Sequence, residues 1–349
     1  MRKKDTISLT NVDIKEDDIM QLDPEVLNVL LVDHTRSRVL RQQTGNPDAR
    51  ANIFWCTSDY KFLGEGYGFY DEICPNLITG DNQLVVQPRV LKSKAQQEAR
   101  IKDKAEVFTP SWVCNAQNNL IDEAWFGRKD VFNKEILHED GTHDWIPTEG
   151  PIQFSEEKGK TWRAYVRDTR MEITCGEAPY LCSRYDTTTG ELIPLERRIG
   201  LLDRKLRVIS ENTTTSKEFL KMAQVAYKNT YGYEWQGDSL LIARESLLWT
   251  FIEYYHTKFG ERPNLRSIRY IAYIISWNLW QMDGLKMVIP NSCDNVYETN
   301  LFGETTKRTC PACEKGEFHG HIGIPCIIRN WRKPKEQQKI QFSSLITNI

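Results

Sequence analysis

Glu172-Ile-Thr-Cys-Gly-Glu-Ala-Pro-Tyr-Leu181 closes a β-prone segment. Its order is an acid, three further residues, Gly, one more residue, two small residues, an aromatic and Leu, which is the form of a nucleotide-binding strand-to-loop turn. Backbone that must approach a ligand at the end of a parallel strand needs residues with little or no side chain, and Gly176 and Ala178 are the small positions available. Read by itself, the same turn is a plain strand-to-helix connection.

The surrounding chain gives the turn its context. Upstream, Glu106-Val-Phe-Thr-Pro110 ends a basic stretch; downstream, Tyr231-Gly-Tyr-Glu234 runs into a long amphipathic segment, and Asn278-Leu-Trp-Gln-Met-Asp283-Gly-Leu follows. Helical patterns over residues 217–228, 239–259 and 265–276 alternate with strand-like runs at 169–174, 230–234 and 277–282, which predicts βαβ units and a parallel, doubly wound sheet. The middle helix places Leu240, Ala243, Leu247, Leu248 and Phe251 on one side with Arg244 and Glu245 opposite, the stripe expected of a helix that covers a sheet.

Taken in order, these motifs resemble the adenine-N6 DNA methyltransferases of restriction-modification systems. In that family Phe-Thr-Pro precedes an Asp-Pro-x-Cys-Gly-x-Gly-type loop, and two acidic strand ends follow. The resemblance spans roughly residues 100–290 and implies a Rossmann-like fold of the class I methyltransferases that binds S-adenosylmethionine. It implies that Phe108, Thr109 and Pro110 pack on the methionine end of the cofactor. The loop Glu172, Thr174, Cys175, Gly176, Glu177, Ala178 and Tyr180 would wrap it, Glu234 with neighbouring Trp235 would bind the ribose hydroxyls, and Asp283 with Gly284 would take the adenine amino group. Two departures stand out: Ala178 replaces the second glycine, and Pro179 removes an N–H donor. Independently of the resemblance, the segment reads as a helix start capped by Thr109 or Ser111 with proline in the first turn.

The family's Asn/Asp-Pro-Pro-aromatic loop, which holds the extruded base, is missing, and the chain contains no Pro-Pro pair. Ile289-Pro-Asn-Ser292 lies at about the right place, which makes Asn291 and Ser292 the candidates for catalysis; Asn46-Pro-Asp48 lies far upstream. About 66 residues follow Asp283. The sheet is therefore expected to be incomplete, with the base-binding half carried by a second polypeptide, double-stranded DNA as substrate and no activity in the isolated chain. The strand-like run at 339–346 would be a junction to such a half. A non-catalytic DNA- or protein-binding module is the alternative. A restriction nuclease built on Asp203-Arg-Lys205 and Glu234 is disfavoured, because alternation on one strand face leaves no convincing second carboxylate.

Cys310-Pro-Ala-Cys313, then His319, His321 and Cys326, form a separate constellation with the spacing of a zinc knuckle. The expected ligands are Cys310, Cys313, Cys326 and one histidine, with Cys293 in reserve; a reduced loop or a redox pair is the other reading. The expected organisation is an aromatic, polar region at 1–87, a cofactor domain at 88–290 with an insertion near 128–161, and a zinc-knuckle segment at 291–349.

The 349 residues suffice for one elaborated domain or two. With 46 basic and 48 acidic residues, a polyanion has to be met by a local patch. Residues 88–106 offer one, with Arg89, Lys92, Lys94, Arg100, Lys102 and Lys104 read either as phosphate contacts or as a solvated helix face. The aromatics between residues 52 and 80 read as irregular packing before base stacking. Nine cysteines, no leader-like start and no apolar run of membrane length point to a reducing cytoplasm and no membrane partner.

Overall fold

The computed structural model describes residues 12–104, 109–295, 297–299, 303 and 305–346. Its centre is a parallel sheet of β1 (Arg170–Glu172), β2 (Thr230–Glu234) and β3 (Leu279–Gln281), adjacent in that order. Register sets Glu172 opposite Gly232 and Glu234 opposite Gln281, so the three strands finish at one edge. Parallel neighbours cannot be joined by a tight hairpin and need long crossovers. Here each crossover is a pair of helices, α1 (Leu201–Asn212) and α2 (Ser216–Lys228) before β2, then α3 (Gly237–Phe259) and α4 (Leu265–Asn278) before β3.

Local chemistry sets the helix ends. The Thr215 hydroxyl accepts from the Glu218 N–H at the start of α2, and the Asn264 side chain accepts from the Ser267 N–H at the start of α4. Helix α3 stops at Gly260, which takes the left-handed conformation that glycine adopts without penalty. Its other end has a different requirement: a Cβ on Gly237 would lie 2.1 Å from the Phe54 carbonyl oxygen, so only glycine lets α3 begin against this segment.

The one-sided stripe expected for α3 is corrected by the structure. Residues 237–255 are all buried, Arg244 and Glu245 included. The reason lies upstream: helices Glu16–Leu22, Pro24–Leu31 and His34–Thr44 cover the face that would otherwise meet water, and Leu27, Leu30 and Leu31 share one apolar core with Leu241, Leu248 and Ile271. Arg244 is usable there because its guanidinium donates to the carbonyls of Leu30, Val32, Ser276 and Leu279. Full burial of each such leucine stabilises by about 1.5–3 kcal/mol, which explains why the N-terminal region packs into this core.

Other expectations shift as well. The basic stretch turns partly inward: Arg100 and Lys92 form ion pairs with Asp238 at 2.9 and 3.1 Å, and Arg89 is buried, which leaves Lys94 and Lys102 exposed. Tyr60 and Tyr67 both pack on Trp55. The insertion contains an antiparallel hairpin, Asn133–Leu137 with His143–Pro147. The segment expected as a junction folds back instead, with Lys339–Gln341 pairing antiparallel to Ile327–Arg329 and Phe342 buried against Tyr233 and Trp280. Asp203 and Lys205 belong to helix α1, not to a strand; Asp203 accepts from Ser183, and Lys205 donates to the carbonyls of Asp168 and Asn229. Both are buried and engaged within the fold, on a helix and not on the strand face that the nuclease reading assumed.

Candidate functional site

A cavity of about 1130 Å³ opens where β1 and β2 end. It lies at the carboxyl edge of the parallel sheet, the place where open α/β sheets bind ligands, and slightly exceeds the usual ligand-cleft range of about 300–1,000 Å³. Glu172, Thr174, Cys175, Gly176 and Tyr180 from the first loop line it, together with Glu234 and Trp235 after β2, Thr109 from upstream and Asn291 from beyond β3. Phe69, Gln117 and Asn118 also line it, and sequence reasoning missed them because they come from segments distant in the chain.

The first loop has an unusual backbone. Thr174, Gly176 and Ala178 all take positive φ, at 47°, 52° and 62°. For a β-branched threonine this conformation is an outlier costing on the order of 1–3 kcal/mol. Two anchors hold it: the Cys175 N–H donates to the Tyr233 carbonyl at 2.8 Å, and the Gly176 N–H donates to Glu234 Oε2 at 2.8 Å. Ala178 is absent from the cavity lining and fully buried in the main core.

Two acids face this space, and neither has an ion-pair partner among the described residues, although Lys102 also lines the cavity. Glu172 accepts the N–H groups of Tyr180 and Leu181, and Glu234 accepts those of Gly176 and Gln236. Burial pushes both carboxyls above the ordinary range, Glu172 strongly, with the neighbouring Glu234 adding to the rise at Glu172. Each carboxylate oxygen has more than one acceptor site, so Glu234 keeps capacity for ligand donors. A further acceptor is Asn118 Oδ1, buried and without a hydrogen-bond partner, while its amide donates to the carbonyls of Tyr180 and Ile199.

Not every residue of the implied set arrives here. Asp283 is outside the cavity lining: its Oδ1 accepts the N–H groups of Leu285 and Lys286 and closes the turn that follows β3. Gly284 in that turn packs on Tyr233, where a Cβ would come within 2.7 Å of the ring. Glu177 points the other way, accepting from the Arg89 N–H at 2.7 Å and the Tyr185 hydroxyl at 2.6 Å. Pro110 sits at the start of helix Ser111–Phe126; no side chain of Thr109 or Ser111 caps that helix, and Asp186 accepts the Ser111 N–H instead. Phe108 lies outside the described residues. Ser292 turns from the cavity to accept the Ile324 N–H at 2.9 Å.

The second site is a cluster of Cys293, Cys310, Cys313 and His321, whose ligand atoms all lie within 4.8 Å of one another. His321 Nδ1 stands 3.8, 3.6 and 3.5 Å from the three sulfurs. Tetrahedral zinc, with Zn–S near 2.3 Å and Zn–N near 2.0–2.1 Å, would set those separations at roughly 3.6 Å, so the cluster could hold such an ion. Burial raises the Cys310 thiol, but the backbone N–H groups of Ile322 and Cys313 and the His321 ring outweigh this and bring it down to about 6. Burial drives the Cys293 thiol up to about 12.

The ligand set differs from the one expected. Cys326 is fully buried elsewhere, its thiol donating to the Gln281 carbonyl, and His319 is exposed. The reserve residue Cys293 takes the fourth place because the chain after β3 loops back over the knuckle. Among the described residues no helix is long and apolar enough to cross a membrane. No protein-family model, curated protein or solved structure matches the chain.

Proposed function

We propose that the chain binds S-adenosylmethionine at the carboxyl edge of its sheet and serves DNA adenine-N6 methylation in a restriction-modification or phage-defence setting. One observation carries this reading: Glu172 and Glu234 are buried, face a ligand-sized cavity and are held by backbone N–H groups with no ion-pair partner among the described residues, and Lys102 is the one described cation in the cavity lining. A ligand that is itself cationic and carries vicinal hydroxyls suits that pair. Glu234 would accept from the ribose hydroxyls, the strained loop around Gly176 would border the methionine part, and the Asn118 amide oxygen would take a donor. Phe69, Tyr180 and Trp235 supply aromatic faces for purine rings. The cofactor would supply an electrophilic methyl group; what the protein adds is orientation and exclusion of water.

The rest of the implied machinery is a matter for a partner. The loop beyond β3 brings a single Asn291 to the cavity where the family carries Asn/Asp-Pro-Pro-aromatic, so a second polypeptide is proposed to complete the grip on an adenine extruded from double-stranded DNA. The same absence favours a second reading, in which the chain binds the cofactor and DNA or a subunit without transferring the methyl group. Zinc in the Cys293 cluster is assigned a structural role in either case, since all four positions are filled by protein.

Calorimetric titration with S-adenosylmethionine tests the cofactor. Glu234→Ala should weaken binding by more than about tenfold. Equal affinity in wild type and variant would remove Glu234 as the ribose ligand, and no binding by wild type would end the cofactor reading. Transfer of labelled methyl to adenine in duplex DNA, with the chains encoded beside this one added, separates the enzyme from the binding module.

A further inference from the structure

The metal cluster and the cavity lie at the two ends of one short stretch. Asn291 lines the cavity and Cys293, two residues on, is a ligand of the cluster. Asn291 also takes a left-handed φ of 57°, which asparagine tolerates better than other residues with a Cβ and which its surroundings here hold in place.

The enforcement is visible. The loop is zipped to the segment that follows the metal-binding histidine: Ile289 N–H donates to the Ile324 carbonyl at 2.9 Å, and Ile324 N–H donates back to Ser292 Oγ at 2.9 Å. Gly323 lies so close that a Cβ there would stand 2.5 Å from Ser292 Oγ and 2.9 Å from Cys293 Sγ. Within the loop, Ser292 N–H returns to the Ile289 carbonyl and Asp294 N–H to that of Asn291. Beyond Ser292 the loop meets the knuckle in apolar packing of Val288 and Cys293 with Ala312 and Ile322 and in the cluster itself, where the thiols of Cys293, Cys310 and Cys313 converge on His321 Nδ1. Without an ion, three buried or half-buried thiols and an imidazole supply only weak donors and acceptors to that junction.

We propose that a zinc ion held by Cys293, Cys310, Cys313 and His321 is a clamp that fixes the 289–293 loop, and through it Asn291, as a wall of the cavity. The loop has one proline, Pro290, and no second to stiffen it; coordination of Cys293 provides the rigidity instead. The clamp is independent of which ligand the cavity takes, and only its effect on cofactor affinity rests on the function proposed above.

The test uses the full chain, prepared without chelator and expected to carry about one zinc. Hydrogen exchange across the 289–293 loop and calorimetric affinity for S-adenosylmethionine are measured with zinc, after its removal by a chelator, and after zinc is returned. Removal should speed exchange in this loop and weaken binding by about tenfold or more, and zinc should restore both. Cys293→Ser should reproduce the metal-free behaviour, whereas Cys326→Ser should keep its zinc. Purification without zinc, full zinc retention by Cys293→Ser, or zinc loss that leaves exchange in the loop unchanged would each overturn the clamp. Should the zinc-loaded wild type fail to bind the cofactor, the function proposal falls while the exchange result still judges the clamp.

Discussion

Asp238 and Glu234 are four residues apart where β2 gives way to α3, both are buried, and their surroundings are opposite. Asp238 accepts from the Tyr60 hydroxyl at 2.6 Å and pairs with Arg100 and Lys92, which hold its carboxyl far below the usual range despite burial. Glu234 has backbone N–H groups and no ion-pair partner among the described residues, and burial raises it. Two acids in one neighbourhood therefore play different parts. The compensated charge ties the 59–100 region to the start of α3, and the other, with Glu172 beside it, leaves two acids at a cavity wall whose described lining holds a single cation, Lys102.

The contrast predicts where substitutions act. Asp238→Ala removes the carboxylate shared by two buried cations, leaving Arg100 with Asp59 and Lys92 with the Tyr60 hydroxyl, and should cost about 3 kcal/mol of unfolding free energy, read from urea denaturation. A loss below about 1 kcal/mol would show that this network does not hold the fold together. Glu172→Gln removes a charge that burial penalises, so at neutral pH it should leave stability unchanged or raise it. A loss as large as that of Asp238→Ala would erase the distinction.

Titration sharpens the same comparison. The folded-state pKa of Asp238 is depressed, so its contribution is present above the unfolded value of about 3.9 and is lost as pH falls below it. Glu172 and Glu234 have raised folded-state values. Their charging penalty is absent below about 4.3 and grows as pH rises through the folded pKa. The stability of Glu172→Gln relative to wild type should therefore climb with pH, whereas that of Asp238→Asn should fall; urea midpoints across the acid-to-neutral range check both signs. A cationic ligand lowers the pKa of the two acids, so binding should release protons, seen as a buffer-dependent heat in calorimetry. A buffer-independent heat would mean that neither acid is protonated before binding.

The smallest effect expected is at the loop. Thr174→Gly relieves a left-handed threonine and should raise stability by about 1 kcal/mol, measured as an increase in Tm. If the strained conformation shapes the cavity, ligand affinity should fall at the same time.

Much of this frame was legible in the chain before folding. The parallel strands and helices α2, α3 and α4 lie within a few residues of where periodicity places them, because apolar spacing acts over one or two turns. Gly176 and Glu234 met at a cavity because a parallel register brings strand ends to one edge. Spacing was silent about Asp283 and Glu177, which stand outside the cavity lining and accept from nearby N–H or hydroxyl donors. The reading failed at Cys326 for the same kind of reason, since spacing along the chain is silent about which thiol the fold turns toward His321.

What the amino-acid order determined by itself, then, is the alternation of strand and helix and the glycine turn with its acids, all set by short-range sterics and hydrogen bonding. Which charges are neutralised, which thiols converge and which side chains line the cavity was decided only by tertiary structure. Those outcomes depend on contacts such as Arg100 with Asp238 and Cys293 with His321, formed between segments far apart in the chain and brought together by burial of the apolar core.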